Sequence, residues 1–251
     1  MNEGRGSNLK SQYLLWFAII CTAGLIISTW VFTSGLVKYK SSSGAITVNG
    51  SAKREIKSDW VVWSGSYSFQ SPNLTEAYKG LVENSAKVKT YFLNKGVPEK
   101  ELIFSSVFTT VNRVILPNGQ MSNQVESYTL SQNVELRSED VEKVTQLSRG
   151  ATELINQGVE FQSNPPQYFY TKIANLKVEM LTLATKDAFN RAQKIAENAN
   201  SNLGMLLSAK QGVFQITPRY SNEISDYGVN DTSSLEKEIT AVVNCSFTIQ
   251  K

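Results

Sequence analysis

Histidine is absent from the 251 residues, and cysteine occurs only twice. Without histidine there is no Ser-His-Asp triad, no Cys-His dyad, no HExxH zinc motif and no imidazole proton switch. Two cysteines cannot build a four-cysteine zinc site or a disulfide-stapled scaffold. An excess of one charge is missing as well: 25 Lys and Arg against 22 Asp and Glu leave a formal net charge of +3. So small an excess gives no electrostatic footprint for a polyanion, and no nucleic-acid partner is expected. No constellation of side chains asks for a cofactor or a metal, and none is expected.

What the chain does have is one long apolar run. No charged residue lies between Ser11 and Val37, a stretch of 27. About 20 apolar residues in a helix span a bilayer core. Tyr13, Trp16 and Trp30 sit near the ends of the run, where amphipathic aromatics favour the interface. A cleaved signal peptide is the alternative, but its apolar region is only about 7–15 residues. Leu36-Val37-Lys38-Tyr39-Lys40 also lacks a small-x-small cleavage pattern. The expected plan is a short tail (1–10), a transmembrane signal anchor (11–37), a polar linker (38–44) and a folded domain (45–251). Orientation is left open by charge: Arg5 and Lys10 precede the span, and Lys38 and Lys40 follow it. Cys21 lies in the span and Cys245 near the C-terminus, so the two cannot pair within one chain.

Beyond the linker, periods of two and 3.6 alternate. Ala45–Ser51 reads as a short strand. Asp59–Gln70 reads as a half-buried strand with Val61, Trp63, Tyr67 and Phe69 on one face, while Trp60 and Trp63 point to opposite faces. Ser71-Pro72 suits a helix start, and Leu74, Ala77, Leu81, Ser85, Val88 and Phe92 continue the stripe until Gly96 and Pro98. Glu101–Leu116 and Met121–Arg137 read as two long strands about a Pro117-Asn118-Gly119 turn. Ser138-Glu139-Asp140 opens a second helix, with stripe Val141, Val144, Leu147, Ala151, Leu154 and Ile155. A short strand, Val159–Gln162, runs into Pro165-Pro166. The longest helix is expected from Thr171 to Asn202, with Ile173, Leu176, Met180, Ala184, Ala188, Ala192, Ile195, Ala199 and Leu203 on one face. Met205–Thr217 is a strand, 218–236 an irregular polar loop, and Glu238–Ile249 a last, nearly perfectly alternating strand. On that strand Cys245 shares the apolar face, as a buried, inert thiol does. The order ββ-α-ββ-α-β-α-ββ predicts an α+β fold, with a largely antiparallel sheet and helices on one face.

These segments resemble the SIMPL-domain family. Ile46-Thr47-Val48-Asn49-Gly50-Ser51 is similar to its I-T-V-x-G-x-G opening, and Ser58-Asp59 falls at its Pro-Asp pair. Leu93–Val97 is similar to its L-x-x-x-G-V, and Ile103–Ser106 to its I-x-T. Ser127-Tyr128 through Leu136 follows its G-Y strand. Ala184, Asp187-Ala188, Arg191-Ala192, Ala196 and Gly204 resemble its A-x-x-D-A-x-x-R-A signature. Ser58 replaces the usual Pro, Ser127 the usual Gly, and Ser105 stands where Thr is common. The resemblance covers residues 45–251. It implies a bacterial envelope protein with its main domain in the periplasm; with the apolar run, the expectation is a single pass through the inner membrane. Some members are linked to oxidative-stress tolerance, some are immunogens, and at least one forms a ring-like or channel-like oligomer. No member has an established reaction. The expectation is a non-enzymatic homo-oligomer with a structural or interaction role in envelope maintenance or stress protection, and with envelope proteins as partners.

Candidate chemistry is sparse. Ser234-Leu235-Glu236-Lys237 has the SxxK spacing of Ser-Lys hydrolases, without the companion SDN and KTG elements. Asp226, Asn230 and Asp231 offer oxygens, without EF-hand spacing. Asp187 and Arg191 have i, i+4 spacing for an ion pair. The small-residue face formed by Ala184, Ala188, Ala192 and Ala199 suits either packing on the chain's own sheet or an oligomer seam. Tyr168-Phe169-Tyr170 forms an aromatic knot, suited to a partner surface or to packing the start of the long helix. Two other readings stay open: a small-ligand binder or hydrolase with non-histidine chemistry in a cleft, and a cytosolic domain on the opposite side of the membrane.

Overall fold

The computed structural model describes residues 5–41 and 44–250, with side chains for 16–35 and 44–249. Helix α1 (Arg5–Ser41) takes in residues 38–41 of the expected linker; 42 and 43 lie outside the described residues. Within α1, Trp16–Gly35 is long and apolar enough to cross a membrane, with mean hydropathy 1.8 and none of it buried.

Eleven strands, four α-helices and two short 3-10 helices (Glu99–Glu101 and Ala151–Gln157) make up the described chain. After α1 come β1 (Gly44–Lys57), β2 (Trp60–Ser71), α2 (Leu74–Asn94), β3 (Leu102–Phe104), β4 (Phe108–Ile115) and β5 (Met121–Ser138). Then follow α3 (Val141–Gly150), β6 (Glu160–Ser163), β7 (Gln167–Phe169), α4 (Ile173–Asn198), β8 (Asn202–Gln211), β9 (Gln215–Pro218), β10 (Val229–Asn230) and β11 (Glu236–Gln250). The fold is α+β, with two mostly antiparallel sheets. One has strand order β3-β5-β2-β6, with β4 on β5 and β7 on β2. The other has order β1-β11-β9-β10, with β8 on β11.

Several boundaries differ from the sequence reading. The first soluble helix is capped by Asn73, whose side chain accepts from the N–H groups of Thr75 and Glu76, so Ser71-Pro72 lies before the helix. The run Glu101–Leu116 splits into β3 and β4. Phe104 pairs with Val134 and Phe108 with Ser131, so the β3–β4 side holds one residue more than β5. Ser105 fills the gap: its hydroxyl accepts the Asn133 N–H at 3.0 Å. Asn164-Pro165-Pro166 separates β6 from β7, because proline has no N–H to give the ladder. The expected strand Met205–Thr217 is broken at 212–214 into β8 and β9, and the loop 218–236 contains β10, parallel to β9. Helix α4 is shorter than expected at both ends, and Ile195 and Ala199 lie outside its buried stripe.

By contacts the chain forms two compact units. One comprises residues up to Ser51, Leu183–Gly212 and those from Val243 on; the other comprises Ala52–Thr182 and Val213–Val242. The larger unit buries one face of its six-stranded sheet under α2 and α3. Val61, Trp63 and Tyr67 of β2 face inward with Val134 and Leu136 of β5, as their period-two spacing predicts. Trp63 meets Phe92 of α2 at 5.3 Å between ring centroids. Its indole N–H donates to Ser163, and the Tyr67 hydroxyl donates to Gln132, so both large rings bury their polar atoms satisfied. Beyond that core the β4–β5 hairpin closes on Gly119, which holds φ 80, as the Pro-Asn-Gly turn requires.

The smaller unit rests on a close strand–helix contact. An added Cβ on Gly50 of β1 would lie 2.1 Å from the Ala184 carbonyl oxygen and 2.4 Å from the Ala188 nitrogen. Ala184, Ala188 and Ala192 are fully buried, so this alanine face of α4 is used within the chain and is not a free seam. Beside it, the Asp187 carboxylate accepts the Ser51 N–H at 2.8 Å and the Arg191 Nε–H at 2.7 Å. These bonds, the Ser51 one foremost, hold Asp187 below its ordinary carboxylate value. Phe189 packs edge-on to Phe247 of β11, and Cys245 is fully buried beside it in sequence, its thiol pushed up by burial.

Two outcomes follow from the Gly50 contact. Gly50→Ala should cost about 1–3 kcal/mol or more through overpacking against backbone. Gly44→Ala on the same strand should stay within about 0.5 kcal/mol, since its added Cβ meets only Ile249 at 3.8 Å. Thermal melting of the full chain in detergent distinguishes them. Asp187, with its folded value depressed, stabilises above the unfolded carboxylate pKa of about 4 and loses that contribution as pH falls through the folded value. The deficit of Asp187→Asn, below about 1 kcal/mol for a partly solvated group, should therefore be present at pH 7 and shrink in urea melts near pH 3.

Candidate functional site

Within the larger unit, β7, the start of α4, β9 and the segment 227–232 enclose a cavity of about 390 Å³. The sequence places aromatic residues on each side. Tyr168, Phe169 and Tyr170 come from β7 and the turn after it, Phe214 precedes β9, and Tyr227 stands on the rim, 97% exposed. Ile173 and Lys177 lie a turn apart on α4 and complete that wall.

Lys237 of β11 lines the cavity although it is only 2% exposed. It is in phase with Ile239, Ala241, Val243, Cys245 and Phe247, all buried. Its ammonium donates to the Tyr168 carbonyl at 2.7 Å and to the Asp231 carbonyl, and so ties two walls together. Burial lowers the Lys237 pKa from its ordinary value, and the Asp231 charge opposes that. Desolvation works against the charged form of Asp231 too. Even so, the Ser233 hydroxyl and N–H, Ser234 and Lys237 together hold it below the usual carboxylate value.

The rim is braced by Gln215. Its side-chain oxygen accepts the Val229 N–H at 2.9 Å, and its amide donates to the Ser225 carbonyl at 2.7 Å. The opposite wall is fixed by Asp59, which accepts both the N–H and the hydroxyl of Thr171, at 2.7 and 2.9 Å. The Tyr168 N–H donates to Thr232, and its hydroxyl shares a hydrogen bond with Thr145.

Tyr168, Phe169 and Tyr170, the expected aromatic knot, line this cavity: Tyr168 is buried, while Phe169 and Tyr170 are half-buried. Lys237 is desolvated as Ser-Lys chemistry needs, but its ammonium is bonded to carbonyl oxygens, and Ser234 joins the Asp231 turn through its N–H. Asp231 spends its oxygens on that turn, and no cluster of three or more Asp, Glu or Cys able to hold a metal occurs among the described residues. Ala199 is exposed, apart from the buried alanines. Lys177, Phe214 and Tyr227 escaped the sequence reading, because nothing in their spacing joins three distant segments. Lys237 did leave a signal: it is the one charged residue in phase with the apolar face of its strand.

The described residues form an α+β fold with two mostly antiparallel sheets and an aromatic cavity with two lysines in its lining. The chain belongs to the SIMPL family, whose model, described as a protein of unknown function (DUF541), matches residues 46–247. A comparison with curated proteins finds no match.

Two adjacent positions of the family opening should respond with opposite signs. The buried Ser58 hydroxyl has no hydrogen-bond partner, so Ser58→Ala should be neutral or stabilising by up to about 1 kcal/mol. Asp59→Ala removes both bonds to Thr171 and should cost about 1–3 kcal/mol. Paired thermal melts check the signs.

Proposed function

We propose that this is a single-pass inner-membrane protein whose SIMPL domain faces the periplasm and works by contact rather than by catalysis. It assembles with copies of itself and serves a structural or interaction role in envelope maintenance or stress protection. The observation that supports this most directly is the amount of apolar surface the described chain leaves bare. None of the Trp16–Gly35 window is buried, as expected of a segment whose cover is lipid. In the larger unit, β4 pairs only with β5 among the described strands. The hairpin they form exposes Phe108 (69%), Ile115 and Met121 (78%). In the smaller unit, β8 pairs only with β11 among the described strands and exposes Met205, Leu206 and Leu207. Long apolar edge strands are templates for another strand, and a soluble monomer ordinarily blunts them. Envelope proteins are the other partners such edges suit.

An alkaline-phosphatase fusion after residue 45 should be active, and inactivity would reverse the topology. The full chain should resist carbonate extraction. In-membrane crosslinking should give a ladder that Phe108→Asp combined with Ile115→Asp reduces to the monomer. A wild-type chain that crosslinks only as a monomer would refute assembly.

A further inference from the structure

We propose that the cavity beneath Tyr227 binds a small amphipathic carboxylate, with a compact apolar body held by the aromatic walls and its charge set toward Lys177. The inference is independent of membrane orientation and of assembly. Its basis is the chemistry of the lining. Phe169, Tyr170 and Phe214 offer ring surface to a planar or branched body. Two lysines line the space and no carboxylate does, so the cavity favours one sign of charge. Lys177 has its ammonium 5.5 Å from the centroid of the Phe214 ring and has no ion-pair partner among the described residues. A cation held over an aromatic face at a cavity wall, without an acid to answer it, is an anion acceptor. Lys237 adds a second ammonium, whose charge Asp231 partly answers, so Lys177 is the main acceptor. Its ammonium has three donors and gives two to the Tyr168 and Asp231 carbonyls.

Size and rim agree with this ligand. About 390 Å³ is at the small end of ligand cavities, which run from about 300 to 1,000 Å³. That suits a bicyclic acid better than a chain of sugars or a nucleotide. Tyr227 is nearly fully exposed on a loop whose base Gln215 fastens on both sides. An exposed phenol ring beside an aromatic cavity gains cover only when something apolar fills the space.

The test titrates the full chain in lipid nanodiscs by calorimetry with 2-naphthoate and with 2-naphthylmethanol, subtracting empty nanodiscs. Naphthoate should bind saturably and at least about tenfold more tightly than the neutral alcohol, the factor that one charge-assisted contact supplies. Lys177→Gln should lose about tenfold in naphthoate affinity and nothing in alcohol affinity. Tyr227→Ala should weaken both titrants. Both positions lie at the cavity edge, and unchanged melting temperatures would show that the fold is kept. Equal affinity for acid and alcohol, wild-type naphthoate affinity in Lys177→Gln, or no saturable binding of either compound would overturn the proposal.

Discussion

The approach of β1 to α4 at Gly50 is the constraint on which the smaller unit depends. Backbone meets backbone there, with only hydrogen on one side and methyl groups on the other. Larger residues at 50, 184 or 188 would push helix and strand apart. The other family positions nearby serve the same contact. Asp187 accepts the N–H of Ser51, the residue after the glycine, and Arg191 holds Asp187 in place. The two motifs, whose bonded residues Ser51 and Asp187 lie 136 residues apart in the sequence, are therefore two halves of one clasp. Its weight comes from packing. The ion pair is partly solvated, and such pairs contribute little, whereas a backbone clash has no cheap relief.

The larger unit depends in the same way on satisfying polar groups where the sheet is irregular. Ser105 stands where the family commonly has Thr, and its hydroxyl takes a ladder N–H at the bulge, a role either residue can fill. Ser127 stands where the family has Gly. It is buried, and its oxygen accepts from both Gln70 and Asn112, so the added oxygen is hydrogen-bonded. Ser58 stands where the family has Pro, and there the hydroxyl is unpaired. Its N–H, which proline would lack, donates to Leu235 at 2.9 Å. The substitution thus gains one hydrogen bond and leaves one buried polar atom unsatisfied.

Periodicity made the regular elements legible. The alternation of β2, β5 and β11 and the stripes of α2, α3 and α4 named most of the core, since burial on one face imposes a period. What it missed were interruptions made by single side chains acting across the sheet, such as Ser105, and caps decided by one amide, such as Asn73. The alanine face showed a different limit. Small residues at helical spacing look the same whether the close partner is another chain or a strand of the same chain. Gly50, a residue of the family opening, makes the distinction, because its bare Cα lies against the backbone of Ala184 and Ala188. The cavity was the least legible feature, because β7, α4, β9 and the 227–232 segment meet only through the fold.

The position of Lys237 shows how firmly that cavity is built. Burying an ammonium is costly, and two carbonyl acceptors offset part of the cost. A strand can turn such a residue outward only by slipping one place, and that slip would turn out Ile239, Ala241, Val243, Cys245 and Phe247 with it. The register that packs the apolar face of β11 therefore also holds the lysine in the cavity wall. Because its ammonium bridges Tyr168 and Asp231, the two walls are spaced by the same register. The charge in the wall is thus set by the core of the fold.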